Sequence, residues 1–284
     1  MLSINTNLSS LVAQNSLNSS TKKLNQAVER MTTGYKINHA KDNAANYSIS
    51  VDMSTKIGAY EVAEENASMA LDMVTTAVDS LDLIADKLER IRALSEQYVN
   101  GTYGEESLEA IVKENYALKE EINRIFYAAE YNGVKLFDIS EYTGTAPFVA
   151  NLGVSGSQTI NFQIGINGDS NSQIGIELGI FIQNFNFSNL MPTPIEHPLD
   201  AVDKWMSVIT QKQTEYGAIQ NRLESALEEI STQYENLTSS RSTLRDTDVA
   251  ETSSEYIKQQ ILQQASSTLL ATANQFPSLA LQLL

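Results

Sequence analysis

The chain has no cysteine, which excludes a disulfide framework and any thiolate-ligated metal site. It has two histidines, His39 and His197, far apart and outside any His-Glu-x-x-His pattern. Metal sites need several convergent ligands, so both are read as structural or surface residues and no metal or cofactor is expected. Proline is missing from Met1 to Ala146; Pro147, Pro192, Pro194 and Pro198 then bracket the middle, and Pro277 follows. Seven of the 13 glycines lie between Gly144 and Gly179. With the helix breakers gathered there, the chain reads as long helices, a short β-rich insertion, and long helices again. No basic residue opens the chain and no continuous apolar run follows, so a cleaved secretory signal is not expected. The C-terminal stretch carries too many Gln, Ser, Thr and Asn to span a bilayer, and no membrane insertion is expected.

Charge is also missing from both ends. No charged side chain precedes Lys22 and none follows Lys258, although the whole chain of 284 residues has a formal charge of -16. Residues 1–45 hold five bases against Glu29 and Asp42, and residues 240–284 hold three bases against four acids. The middle holds 11 bases against 29 acids. An acidic surface of this kind disfavours nucleic acid and anionic membrane as partners. It also puts self-repulsion in the centre and leaves the ends free to pack closely.

What is present is helical periodicity. Met53, Tyr60, Ala63, Ala67, Ala70, Val74, Ala77, Leu81, Ile84, Leu88, Ile91 and Tyr98 recur at alternating steps of three and four, with Lys56 and Ser95 interrupting. A 3.5-residue repeat sustained this long marks a coiled-coil seam. Residues 46–98 as one helix would be roughly 80 Å long. Asn100-Gly101 and Tyr103-Gly104 end it, and Leu108, Ile111, Leu118, Ile122 and Ile125 predict a shorter return helix. Asn132-Gly133 predicts a turn into Val134–Phe137. In the middle, Phe162, Ile164 and Ile166 alternate, Asn167-Gly168 offers a tight hairpin turn, and Ile174, Ile176, Leu178, Ile180 and Ile182 alternate again. From Leu199 the helical pattern resumes through Val202, Met206, Ile209, Tyr216, Ile219, Leu223 and Ile230. The expected fold is mainly α, a long antiparallel helical rod with terminal coiled-coil segments and a small β-hairpin element in the middle.

That arrangement puts the two uncharged ends side by side, with Ile4, Leu8, Leu11, Leu17, Leu24, Val28 and Met31 expected to pair with Val249, Ile257, Ile261, Leu269 and the terminal leucines. Two helices alone bury too little surface to be stable. The ends are therefore expected to order only when neighbouring copies supply the missing walls, coupling folding to assembly. Charges there would be buried against copies of themselves, whereas amides and hydroxyls can be buried with hydrogen bonds. Leu8, Leu11, Leu24, Val28, Ile257, Ile261, Leu262, Leu269 and Leu270 are the expected polymerisation residues.

Six ordered segments carry a resemblance. "TTGYKINHAKDNAANYSIS" is similar to the N-terminal signature of bacterial flagellin: Thr33-Gly34, Ile37-Asn38, Ala40, Asp42 and Ala44-Ala45 keep it, while Asn43 stands for the usual second acid and Asn46 for the usual glycine. "LERIRALSEQYVNGTYG", "EYNGVKLFD", "FQIGING", "NRLESALEEI" and "ILQQASSTLLATANQ" resemble further blocks in the same order, across residues 1–138 and 199–284. The resemblance implies a short flagellin with little or no outer variable domain: inner coiled-coil segments 1–45 and 240–284, rod helices and turn 46–138, a β-rich middle 139–198, and a rod helix 199–239. It implies export without a cleaved signal through the flagellar type III channel and polymerisation with copies of itself into a filament used for motility. Its implied partners are a secretion chaperone, the cap and hook-associated proteins, and the Toll-like flagellin receptor of host animals. The positions matching that receptor's site are Arg90, Leu94, Gln97, Ile111 and Glu114, with Glu89 and Ala93 departing from the family's common Gln and Glu.

No enzymatic chemistry is expected. Glu64-Glu65, Glu105-Glu106, Glu120-Glu121 and Glu228-Glu229 are adjacent pairs whose side chains diverge by about 100° on a helix, which suits a solvated face and not a shared catalytic site. The alternatives are a hook-filament junction protein, which shares the terminal coiled coils, and a non-flagellar coiled-coil adaptor that would stop at a small oligomer.

Overall fold

The computed structural model describes residues 7–137, 158–178 and 198–282; the side chains of Gln158, Pro198 and residues 276–282 are outside the description. The expected strand positions Ile180 and Ile182 and the expected pairing residue Ile4 fall outside the described residues. In chain order the elements are α1 (Leu8–Thr33), α2 (Ala44–Val99), α3 (Glu105–Ala128), β1 (Glu130–Tyr131), β2 (Val134–Lys135), β3 (Gln158–Gln163), β4 (Gln173–Leu178), α4 (Pro198–Arg245) and α5 (Val249–Gln282). The chain is mainly helical, with two small antiparallel hairpins among the described residues.

The chain divides into two compact units. One holds the residues up to Gly58 and from Glu235 onward; the other runs from Ala59 to Tyr234. The divisions fall inside α2 and α4 and not at their ends.

In the second unit the expected seam is the core. Ala63, Ala67, Ala70, Val74, Ala77, Leu81, Ile84, Leu88 and Ile91 are each no more than 3% exposed. The α2 residues Leu81, Ile84, Leu88 and Ile91 share one cluster with Ile122 and Phe126 of α3, Ile174, Ile176 and Leu178 of β4, and Val202, Trp205, Ile209, Tyr216 and Leu223 of α4. A buried residue at every third or fourth position is what one face of a 3.6-residue helix supplies. Phe126 and Phe137 meet edge to face, with ring centroids 5.5 Å apart, closing the end of α3 onto the first hairpin.

The two hairpins turn differently. Between β1 and β2, Asn132 and Gly133 both have positive φ, 50° and 78°, as a two-residue type I′ turn requires. Between β3 and β4 the two-residue turn expected at Asn167-Gly168 is not formed. The ladder pairs Gln163 with Gln173, and residues 164–172 make a wider loop with a short 3-10 turn at Ser170–Ser172. The Asp169 carboxylate accepts from the Ser172 amide and hydroxyl, and the Gln163 amide donates to the Gly165 and Asn167 carbonyls. These side chains offer the loop backbone more partners than a tight turn would. A Cβ on Gly165 would come within 2.6 Å of the Ser172 Cβ, so this position needs glycine for space.

The terminal helix pair as a candidate assembly surface

In the first unit α1 lies along α5 and antiparallel to it, since Asn7 bonds to Ala273 and Thr21 to Gln263. The seam between them differs from the expected leucine pairing. The buried residues are Ala13, Ser20 and Ala27 on α1 and Thr252, Gln259, Ser266 and Ala273 on α5. Both series step by seven, the interval that keeps a residue on the facing side of a paired helix. Apart from Gln259, whose amide donates to the Glu255 carboxylate, these seam side chains are small, and most of the large apolar residues are exposed. Leu8 is 71% exposed, Leu11 54%, Val28 43%, Ile257 54%, Ile261 64%, Leu262 42% and Leu269 61%. Leu24 and Leu270 are half-buried. The nine expected polymerisation residues therefore lie on this pair, seven of them exposed and Leu24 and Leu270 half-buried.

Covering this much exposed apolar surface would be strongly favourable, at about 25 cal/mol per Å² removed from water. The polar residues among it are matched locally. Asn7 caps α1 by accepting from the Ser10 amide at 3.0 Å, and its own amide donates to the Ala273 carbonyl at 2.7 Å. Pro277 has no N–H to offer that carbonyl from the next turn of α5, so Asn7 satisfies an acceptor that a proline inside a helix leaves open. Ser10 donates to Asn274 at 2.8 Å, and Gln263 donates to Thr21 at 3.0 Å.

The far end of the pair is held by the signature segment. Gly34, at φ +75°, ends α1 in the left-handed conformation, with its amide bonded to the Arg30 carbonyl. The Lys36 amide then donates to the Arg245 carbonyl, and the Thr247 amide to the Gly34 carbonyl. The Arg245 guanidinium lies 4.4 Å from the Tyr35 ring centroid and 5.8 Å from that of Tyr47, a cation between two aromatic faces. The Asp42 carboxylate accepts from the His39 and Asn38 amides, and chiefly the His39 bond holds its pKa below the usual carboxylate value. Asn43, in place of the family's usual acid, accepts from the Asn46 amide at the start of α2. An amide oxygen performs the capping there that a carboxylate would.

The residues expected to meet a receptor lie in the second unit. Arg90 donates from Nε and Nη2 to Glu114 Oε1 at 2.9 and 2.6 Å, and both side chains are about half exposed. Gln97 is half-buried. Leu94 and Ile111 are 1% and 7% exposed, so the apolar centre expected of Leu94 lies beneath the surface and supports it from inside. Sequence reasoning passed over Arg92, which bridges Asp203 on α4 and Glu96 on its own helix, each at 2.7 Å. The Asp203 bond, more than any other contact, raises its pKa. The Arg92-Glu96 spacing of four was visible in the sequence; the Asp203 contact needed the fold. Among the described residues, no group of three or more His, Asp or Glu side chains is placed to hold a metal ion, and no helix is long and apolar enough to cross a membrane.

The family description "Bacterial flagellin N-terminal helical region" matches residues 4–141, and "Bacterial flagellin C-terminal helical region" matches residues 199–284. A flagellin of Bacillus subtilis is 32% identical over 307 residues, covering 99% of this chain and 99% of its own. A flagellar filament 30.7 kDa core protein of Treponema maltophilum is 32% identical over 281 residues, covering 95% of each. Among solved structures, a protein described as flagellar hook-associated, from Vibrio parahaemolyticus, aligns with a TM-score of 0.61 and 15% identity, covering 72% of this chain and all of its own. At that identity the likeness concerns the fold alone.

Proposed function

Because this chain belongs to the bacterial flagellin family, we propose that it is the structural subunit of a flagellar filament, polymerising with copies of itself for motility. The observation that carries this reading is the terminal helix pair, whose large apolar side chains are exposed on a surface with no charge before Lys22 or after Lys258. A surface of that kind is costly in water and is relieved when like surfaces cover it. The chain acts by assembly and not by catalysis. In this reading it reaches the flagellum through the type III export channel, is held beforehand by a secretion chaperone at its C-terminal segment, and is added beneath the cap onto hook-associated proteins. Purified protein offered sheared filament fragments is expected to elongate them, as seen by electron microscopy. A species that stops at a small oligomer would favour the adaptor alternative instead.

The receptor role is proposed for the exposed Arg90 and Glu114 and the half-buried Gln97, with Leu94 and Ile111 holding α2 and α3 in place below them. Arg90 and Glu114 already bond to each other, so a partner would have to join that ion pair and not replace it. Replacing both by alanine is expected to weaken binding to the Toll-like flagellin receptor by about tenfold or more, since arginine is enriched among the interface hot spots whose truncation costs about 2 kcal/mol or more. Surface plasmon resonance with the receptor ectodomain reads this directly, and equal affinities would remove the assignment.

A further inference from the structure

The two flanks of the α1–α5 pair differ chemically. The Ser10–Asn274 and Thr21–Gln263 bonds tie one flank. The opposite flank is an open trough of about 810 Å³. Its walls are Leu8 and Val12 on α1 and Leu262 and Leu269 on α5, exposed by 71%, 57%, 42% and 61%. Its floor is formed by the seam residues Ala13, Ser20, Gln259, Ser266 and Ala273. Lys23 and Lys258 sit at one end, and the rest of the lining is uncharged. A charged occupant would lose its hydration there without gaining an ion pair along most of the length, so the trough suits a neutral, apolar one.

The same chain displays such an object. Thr252, Gln259, Ser266 and Ala273 mark the side of α5 that faces α1. Ile257 and Ile261 stand two residues before and two after Gln259, about 200° around the helix, and so on the side turned away from α1. They are one turn apart, 54% and 64% exposed, and Lys258 is the last charged residue of the helix. A chain cannot seat its own outer edge in a trough on a different side of the same helix pair, so these two surfaces can meet each other only between copies. We infer that the Ile257–Ile261 edge of one copy seats in the Leu8–Leu269 trough of the next. This deepens the filament reading and rests on it. The contact joins unlike surfaces, and made head to tail it leaves one edge and one trough free after every addition, as a growing helical filament requires. The floor residues other than Gln259 are small, which leaves room for branched side chains to enter between the apolar walls.

The test uses full-length protein. Ser16→Glu puts a carboxylate in the trough from an exposed position outside the seam, and Ile261→Lys puts an ammonium on the edge. Each single variant is expected to cut seeded filament yield, measured by sedimentation and electron microscopy, by at least about tenfold, because each buries one unpaired charge at every contact. The double variant meets itself with opposite charges across each contact and is expected to recover most of the loss. Circular dichroism should show the same helix content in all four proteins. Single variants that assemble like the parent, or a double variant no better than the worse single, would overturn the inference while the parent's own assembly left the filament reading standing. A parent protein that never elongates seeds would overturn that reading and this contact with it.

Discussion

A chain ending at Ile261 is expected to form no filaments while residues 59–234 keep their melting transition. The truncation removes the exposed Leu262 and Leu269 and the half-buried Leu270, and takes Ser266 and Ala273 out of the seam with α1. It also removes the Ala273 carbonyl, leaving the Asn7 amide without its cross-helix acceptor. What is left of α5 is a short partner for the 26 residues of α1, and isolated helices below about 12–15 residues are marginal in water. The core that melts cooperatively lies elsewhere, in the cluster around Leu81, Phe126 and Trp205. Sedimentation after seeding should find the truncated protein in the supernatant, and thermal circular dichroism should find the main transition unmoved. Pelleted filaments at the parent's yield would separate assembly from the terminal pair altogether.

Leu81→Asp should act in the opposite sense and unfold the second unit. Leu81 is fully buried at the centre of the cluster that joins α2, α3, α4 and β4. Losing a buried leucine costs roughly 3–5 kcal/mol, and an unpaired carboxylate in its place adds a further desolvation penalty. Together these approach the whole stability of a typical domain, about 5–15 kcal/mol. The thermal transition should fall by more than ten degrees or vanish. Leu83→Asp, two residues on and 52% exposed, is the matched control and should stay within about 0.5 kcal/mol of the parent. An unchanged melting curve for Leu81→Asp would mean that the seam lies on another face of α2.

The contrast between Leu81 and Leu83 shows what the sequence could disclose. A repeat of three and four tells which residues share a face, and from Ala63 to Ile91 that face is the buried one, because the apolar residues facing it lie on α3, α4 and β4 of the same chain. In the terminal pair the same reasoning expected large apolar residues to face one another across the two helices, whereas most of those it named are exposed. Leu8, Leu11, Ile257 and Ile261 look like core positions by hydropathy, yet the seam belongs to Ala13, Ser20, Ala27 and their partners. Hydropathy alone cannot show whether a large side chain packs within its own chain or is left for another. The sevenfold spacing of small residues was present in the sequence but does not stand out where Ser, Thr, Gln and Ala are common throughout. Turn chemistry was legible at Asn132-Gly133, where positive φ is required at both residues, and misleading at Asn167-Gly168, where Asp169 and Gln163 hold a wider loop. Leu94 and Ile111, named as contact residues by family position, proved to be buried supports of a charged surface, since position in a motif carries no information about depth. The Arg245 guanidinium between Tyr35 and Tyr47 joins residues some two hundred positions apart, a contact that only the fold could reveal.

The central claim is that α1 and α5 are only marginally stable as a pair and become stable when other copies cover them. Hydrogen exchange read by mass spectrometry on dilute monomer and on assembled protein tests it most directly. The account predicts fast exchange for the amides of residues 8–33 and 249–275 in the monomer, slow exchange for the same amides after assembly, and slow exchange along residues 67–91 in both states. Terminal helices as well protected in the dilute monomer as residues 67–91 would contradict it.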